Sequence, residues 1–79
     1  MSNQQELIYQ INKKCRIVGG YDEFLLLDYI RYYCKIHYIE DGSQSWERLI
    51  DYLWENLDSE LRTTFYNKNE FAYFVYYNL

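Results

Sequence analysis

The longest apolar pattern in the chain runs from Asp22 to Tyr38 and predicts the central helix of the fold. At about 100° per residue, the polar residues Asp28, Arg31 and Lys35 share one narrow arc of this helix. The rest of the circumference is apolar and consists of Leu25, Leu26, Leu27, Tyr29, Ile30, Tyr33, Cys34 and Ile36. A helix that is apolar over most of its circumference normally lies buried between neighbours. We therefore expect the other segments to pack around it.

A first helix is predicted over about residues 3 to 15. Ser2 and Gln5 have the form of a capping box, in which the two side chains bond to backbone N–H groups at the helix start. Apolar residues follow at helical spacing at Leu7, Ile8, Ile11 and Cys15. The helix should end before the pair Gly19-Gly20, which tolerates positive φ. Residues 17 and 18 can form a short extended piece, and Asp22 can cap the central helix.

The segment after the central helix predicts a turn and a strongly amphipathic third helix. The turn spans residues 40–44 and has Asp41-Gly42 at its centre, after which Ser45 can serve as the N-cap. The apolar residues of the third helix lie within about 80° of one another; they are Trp46, Leu49, Ile50, Leu53 and Leu57. Asp58 then either caps a short fourth helix or lies in a continuation of the third.

The end of the chain predicts a short helix with Leu61 and Phe65 and then a last helix. Asn67 and Glu70 repeat the capping-box form, and the last helix carries its apolar residues at Phe71, Phe74, Val75 and Leu79. The predicted fold is all-α, a compact bundle of four to five short helices around the central apolar helix. An alternative is an α+β fold, because residues 29–39 and 71–77 also alternate with period 2 in strand-forming residues.

Composition predicts one folded domain over residues 1–79. Its 79 residues leave no room for a second core. The start of the chain has neither a basic stretch nor an apolar core of a secretory signal, and the apolar runs are too short for a bilayer span. We expect a cytoplasmic protein without membrane contact, in which Cys15 and Cys34 are reduced, partly buried thiols.

Catalytic and cofactor motifs are not found in the sequence, which predicts a protein that is not an enzyme and needs no cofactor. Three glycines, two of them adjacent, cannot form a Gly-rich phosphate loop. A calcium loop centred on Gly42 would need oxygen ligands where His37 and Arg48 stand. Cys34 and His37 could share a metal at i, i+3, but a histidine in this setting is more often a packing residue, so no metal site is predicted.

The negative charge is concentrated in one segment. Residues 39–60 hold seven acids and one base, a local charge of −6, whereas residues 1–38 and 61–79 each carry +1. Glu47, Asp51 and Glu55 recur at i, i+4 and i+8 of the third helix, and Asp58 shares their side if the helix reaches it. We call these four residues the acidic ridge. Like charges four residues apart destabilise a helix slightly, so the ridge calls for a reason other than stability.

Tyrosine supplies the second signal for a binding role. Eleven of the 79 residues are tyrosine, and a core of this size cannot bury eleven phenol rings and pair every hydroxyl. Several must therefore lie on the surface, where tyrosine and tryptophan provide contact area in interfaces. Trp54 borders the acidic ridge on the helical wheel, and with Tyr52 it completes the predicted partner-binding set.

These patterns predict a small acidic protein that binds and blocks a basic, nucleic-acid-handling surface of a larger protein. Carboxylates one helical turn apart are separated by about 6 Å along the axis, similar to phosphates on a nucleic-acid strand. Inhibitors of nucleases or nucleic-acid-binding complexes, such as toxin-immunity or phage counter-defence proteins, have this character. The alternative is a homo-oligomeric structural or adaptor domain that uses exposed Tyr and Trp. The basic cluster Lys13, Lys14 and Arg16 could meet the ridge of a second copy, but it is too small to predict direct nucleic-acid binding.

Overall fold

The structure is a computed structural model that describes residues 3–79. Over these residues the chain forms five helices and one small hairpin, which are α1 (Gln4–Lys14), β1 (Arg16–Ile17), β2 (Gly20–Tyr21), α2 (Glu23–Ile36), α3 (Gln44–Asn56), α4 (Leu61–Thr64) and α5 (Lys68–Asn78). The radius of gyration is 11.3 Å, close to the value of about 11.6 Å for a compact chain of this length. The predicted helical bundle is confirmed. The α+β alternative is wrong, because α2 and α5 occupy most of the two segments that could have been strands.

Side-chain caps start four helices, α1, α2, α3 and α5, at positions where the backbone is extended. The Asp22 side chain accepts hydrogen bonds from the backbone N–H groups of Phe24 and Leu25, both at 3.1 Å, and the Asn67 side chain accepts one from Glu70 at 2.9 Å. Both predicted caps are confirmed. Helix α1 is capped by Asn3, whose side chain accepts from the Glu6 N–H at 2.8 Å; the predicted cap Ser2 lies outside the described residues.

Helix α3 begins two residues earlier than the predicted cap would place it. The Ser43 hydroxyl, not that of Ser45, accepts from the Trp46 N–H at 3.2 Å. The physical reason is the preceding turn, in which the Ser43 N–H bonds to the Glu40 carbonyl at 3.1 Å and Gly42 adopts φ +74°. The turn is complete at Gly42, so the chain is already extended at Ser43 and free to enter the helix.

Asp58 neither caps α4 nor lies in a continuation of α3, so both predictions for this residue are wrong. Helix α3 ends at Asn56, and Leu57 is extended with φ −76° and ψ 159°, so the helix does not continue to Asp58. The N-cap of α4 is Glu60, which makes no side-chain capping bond. Asp58 contributes only its carbonyl to this turn, which accepts from the Leu61 N–H at 2.9 Å.

The hairpin β1–β2 connects α1 to α2 and packs on α4. Its strands are antiparallel, with Arg16 opposite Tyr21 and Ile17 opposite Gly20, and Gly19 in the turn has φ +83°. Gly20 is buried against Thr64. The Thr64 hydroxyl accepts from the Tyr21 N–H at 2.7 Å. The predicted glycine break is therefore present. The extended piece predicted at residues 17 and 18 lies one residue earlier, at Arg16–Ile17, in a small hairpin anchored to a helix distant in sequence.

The core lies between the helices, and α2 and α3 each contribute five buried residues. From α2 these are Leu26, Leu27, Ile30, Tyr33 and Cys34; from α3 they are Trp46, Leu49, Ile50, Leu53 and Trp54. Burial of α2 is one-sided, since Phe24 and Tyr32 are about two-thirds exposed, at 67% and 64%. Among residues 3–79 no charged side chain is buried, and none of their helices has both the length and the apolar character needed to cross a bilayer.

Candidate interaction surface

The first three residues of the acidic ridge lie exposed along one face of α3. Glu47, Asp51 and Glu55 are all exposed, as the wheel predicts for the side opposite the buried residues. Asp51 pairs with Lys68 at the start of α5, with 2.9 Å between Oδ1 and Nζ. This hydrogen bond, together with the charge of Asp51, raises the pKa of Lys68. Among the described residues Glu47 and Glu55 make no ion pair.

Asp58 is separated from the other three acids. Because the chain leaves the helix at Leu57, the Asp58 carboxylate points to the hairpin and pairs with Arg16 at 2.8 Å. Arg16 also reaches Glu60 at 3.3 Å. The Asp58 N–H donates to the Tyr21 hydroxyl at 3.1 Å, and that hydroxyl donates to Asn12 Oδ1. Asp58 thus belongs to a polar network that joins α1, the hairpin and the α3–α4 connection.

The two aromatic residues predicted to accompany the ridge are less accessible than the ridge itself. Trp54 is 8% exposed because the Arg62 guanidinium lies over its ring at 4.8 Å from the centroid. The ring of Phe71 packs on it with a centroid separation of 5.9 Å. Tyr52 is half-buried. Neither residue provides an exposed aromatic anchor beside the acids.

An exposed aromatic cluster does border the ridge, and it comes from α5. A groove of about 340 Å³ runs between the start of α3 and α5 and is lined by Gly42, Trp46, Glu47, Asn69, Ala72, Tyr73, Tyr76 and Tyr77. A second depression of about 300 Å³ shares Trp46, Glu47 and Ala72 with it and is completed by Ile50, Asp51 and Lys68. The two form one continuous surface, which we call the α3–α5 groove. Glu47 and Asp51 of the ridge are part of its wall.

The rings of the groove contact one another in an ordered series. Trp46 and Tyr76 meet edge to face at 5.6 Å and 71°, as do Tyr76 and Tyr77 at 5.2 Å and 85°. Tyr73 and Tyr77, one helical turn apart, are nearly parallel at 5.9 Å and 14°. Aromatic pairs favour these geometries because of the ring quadrupole. The series places three tyrosines of α5 beside the first turn of α3.

The sequence contains a signal for this cluster that the hydrophobic pattern obscures. Tyr73 and Tyr77 are at i, i+4 and Tyr73 and Tyr76 at i, i+3, so one helical face carries all three. Gly42 makes room for them, since a Cβ there would be 3.1 Å from Tyr76 Cε1. The same residues also fit a strand pattern, which is why the sequence alone does not assign them to a surface.

The remaining exposed tyrosines are dispersed. Tyr9, Tyr32, Tyr38 and Tyr66 lie on other parts of the surface, so the prediction that several tyrosines reach the surface is confirmed. The Lys13 ammonium lies over the Tyr9 ring at 5.5 Å. Of the predicted basic cluster, Arg16 forms ion pairs with Asp58 and Glu60, whereas Lys13 and Lys14 form none within residues 3–79.

The thiols and the histidine do not form a reactive group in this structure. Cys15 and Cys34 are buried free thiols, and burial raises the pKa of each to about 11. His37 follows the last residue of α2 as its C-cap, and its ring centroid lies 4.2 Å from that of Tyr33. No group of three or more His, Cys, Asp or Glu side chains within residues 3–79 is arranged to hold a metal ion.

Comparison with known proteins adds no relative, since no protein-family model, curated protein or solved structure matches the chain.

Proposed function

We propose that this chain is a non-catalytic, cytoplasmic interaction protein that binds and blocks a basic, nucleic-acid-handling surface of a larger protein. The observation that carries the proposal is the exposed row of Glu47, Asp51 and Glu55 beside the tyrosine-lined α3–α5 groove. In biological terms the proposal is an inhibitor of the toxin-immunity or phage counter-defence kind.

The charge of the ridge supports a cationic partner. Three carboxylates follow one another at intervals of about 6 Å along the α3 axis, and Lys68 neutralises only the one on Asp51. The repulsion between neighbouring acids costs a few tenths of a kcal/mol per pair. Contact with lysines and arginines that otherwise hold phosphates would offset that repulsion and direct the association electrostatically.

The tyrosines support a protein partner over a purely ionic one. Tyr73 and Tyr77 are 59% and 73% exposed and border the acids through the α3–α5 groove. Tyrosine is one of the residues in which interface hot spots are enriched, together with tryptophan and arginine. The other three residues of the predicted set contribute less to this surface. Asp58 is paired with Arg16, Trp54 is buried and Tyr52 is half-buried.

The experiment uses the tagged chain to capture partners from nuclease-treated lysate of its source organism, or of the host if the gene is viral. Bound proteins are eluted by increasing salt, and each is then purified. We expect a basic protein that elutes at moderate salt and whose binding to a labelled duplex DNA or RNA is displaced by this chain. Absence of any captured protein other than the bait, or a captured protein whose nucleic-acid binding is not displaced, would contradict the proposal.

A matched pair of triple variants tests whether partner binding depends on the ridge. Glu47→Gln, Asp51→Asn and Glu55→Gln together remove three charges and one ion pair. Glu6→Gln, Glu23→Gln and Asp28→Asn also remove three charges and one ion pair, that of Asp28 with Arg31, from other surfaces. We expect the first set to weaken binding at least about tenfold and to flatten its salt dependence, whereas the control set should bind as the unmodified chain does.

A second candidate function is a homo-oligomeric structural or adaptor domain, and exposed apolar residues of α2 support it. Phe24 is 67% exposed and contacts Phe74 edge to face at 6.3 Å. A shallow surface depression of about 260 Å³ on the same helix is lined by Leu25, Asp28, Tyr29 and Tyr32. A second copy could cover this face of α2. Sedimentation at micromolar concentration decides the matter, because a monomer mass that does not change with concentration rules the candidate out.

A further inference from the structure

The α3–α5 groove has the composition of a site for an organic cation. The part of the groove beside the start of α3 holds four aromatic rings, those of Trp46, Tyr73, Tyr76 and Tyr77, and one carboxylate, that of Glu47. The face of an aromatic ring carries negative electrostatic potential and attracts a cation placed within about 6 Å of its centroid. A carboxylate in the same wall adds a charged acceptor for N–H donors. No cationic side chain lines this part of the groove, among the residues that the structure describes.

The residues around the groove are negatively charged, as Glu47 is. Glu40 and Asp41 immediately precede Gly42, which forms one wall, and both are exposed. Asp51 stands one helical turn after Glu47, in the adjoining depression. Lys68 also lines that depression, and its ammonium is held by Asp51 at 2.9 Å. The site is therefore complementary to a positive group brought by another molecule.

We propose that the α3–α5 groove binds an arginine side chain of the protein partner; this rests on the proposed function and names the chemistry that the surface recognises. A guanidinium stacks flat on exposed aromatic planes and donates N–H groups to a carboxylate. The rings of Tyr73 and Tyr77 are more than half exposed, at 59% and 73%. An open wall of this kind fits a flat cation, whereas a methylated ammonium is usually held inside an enclosed cage of rings.

The chain itself contains an example of this contact. Arg62 places its guanidinium 4.8 Å from the Trp54 ring centroid and donates to the Trp54 carbonyl at 3.4 Å. There the aromatic ring is supplied by α3 and the arginine by α4. In the α3–α5 groove the ring faces and the acceptor are present in the same helix pair, and the arginine comes from the partner.

The test uses short peptides as probes, with NMR detection of the isotope-labelled protein. Acetyl-Gly-Arg-Gly-amide should shift the Trp46 indole N–H and the Gly42 amide resonances and saturate in the millimolar range. Citrulline in place of arginine keeps the shape and most of the donors but removes the charge, and should bind at least about fivefold more weakly. Equal binding of the citrulline peptide, or shifts outside the groove only, would overturn the proposal.

A lysine peptide and two variants identify the cation and the groove. The lysine peptide should bind more weakly than the arginine peptide; equal or tighter binding would overturn the assignment to arginine. Tyr77→Leu and Glu47→Gln should each weaken arginine-peptide binding severalfold. Tyr66→Leu is the matched control, because Tyr66 is 88% exposed and does not line the groove, so its peptide affinity should not change. A Tyr77→Leu variant with unchanged affinity and an unchanged circular-dichroism spectrum would contradict the proposal.

The same variants separate a failure of this inference from a failure of the proposed function. If the arginine peptide does not bind but a captured basic partner is lost with the ridge triple variant, the inference fails and the proposed function stands. If the arginine peptide binds at the groove and no partner is captured, the groove chemistry stands and the proposed function fails.

Discussion

Two groups of acidic residues within the acidic segment, residues 39–60, are similar in sequence but make different contacts in the structure. Glu47, Asp51 and Glu55 lie on one exposed face of α3, and two of them have no ionic partner among the described residues. Asp58 and Glu60 instead share Arg16, at 2.8 and 3.3 Å. The difference arises at Leu57, where the backbone turns from helical to extended. Before that point the acids of the third helix are exposed on one face, and after it Asp58 and Glu60 connect distant segments of the fold.

The largest expected effect comes from the connection of the hairpin to α4. Gly20→Ala would place a Cβ in collision with the Thr64 hydroxyl, which already accepts from the Tyr21 N–H at 2.7 Å. Because a β-branched side chain cannot move aside without losing this bond, we expect a loss of about 1–3 kcal/mol in the free energy of unfolding. Urea denaturation measures it.

The neighbouring glycine provides the control for that variant. Gly19 has φ +83°, and a Cβ added there would meet no atom within 4 Å. Asparagine tolerates this backbone conformation, so Gly19→Asn should cost well under about 1 kcal/mol. Equal stabilities of the Gly20→Ala and Gly19→Asn variants would show that the contact with α4 is not what holds the hairpin.

A somewhat smaller effect is expected when the polar network at Asp58 loses its central hydroxyl. Tyr21→Phe removes the group that accepts from the Asp58 N–H at 3.1 Å and donates to Asn12. Leaving partly buried polar groups without a partner should lower the free energy of unfolding by about 1–2 kcal/mol. Tyr66→Phe, at a site 88% exposed, should leave it unchanged; a similar loss in both variants would contradict the role of the network.

The burial of the Tyr21 hydroxyl predicts a loss of stability at alkaline pH. Burial raises the pKa of Tyr21 from 10 to about 12, so the unfolded chain releases this proton first as the pH rises. The stabilisation is complete below pH 10 and is lost as the pH rises through about 12. Burial raises the pKa of Cys15 and Cys34 from 9 to about 11, which adds a loss that starts near pH 9. Denaturation as a function of pH should show Tyr21→Phe falling less steeply above about pH 10 than the unmodified chain.

The helical bundle could be predicted from the sequence because its signals are local. Asp22 and Asn67 cap helices through bonds to residues two or three positions away, and the apolar stripe of α3 is buried as its spacing predicts. The position of Asp58 could not be predicted in the same way. It depends on Arg16 and Tyr21, which approach from other segments, and no local pattern identifies such partners.

Only the part of the candidate site that depends on local signals could be predicted from the sequence. The exposure of Glu47, Asp51 and Glu55 follows from helical periodicity alone. Trp54 borders them on the wheel, yet it is covered by Arg62 from α4, and the tyrosines beside the acids come from α5. Which aromatic rings meet an acidic face is decided by helix packing, which brings together residues that are distant in the chain.

A weaker effect on stability is expected from the ion pairs of Arg16. Its side chain is 47% exposed and that of Asp58 is 38% exposed, and pairs this open to solvent are worth at most about 1 kcal/mol. Arg16→Ala should lower the free energy of unfolding by no more than that at low salt, and the loss should shrink in high salt. A salt-independent loss would indicate that packing of the Arg16 stem, not its charge, holds the segment.

The smallest change in stability should accompany a clear loss of binding, and this contrast separates the ridge on α3 from Asp58 most sharply. Glu47→Gln with Glu55→Gln removes charges that repel Asp51 from i±4 positions, worth about 0.2–0.5 kcal/mol per pair. It also removes the first-turn charge of Glu47, which the helix dipole favours by a similar amount, so the free energy of unfolding should change little. Binding to the captured basic partner should nevertheless weaken severalfold. Asp58→Asn should do the reverse, with reduced stability and unchanged affinity, because its carboxylate is paired with Arg16. Denaturation and partner titration of both variants measure the contrast. If Asp58→Asn weakens binding as much as the Glu47 and Glu55 pair does, the acidic segment acts as one surface and the division at Leu57 has no functional meaning.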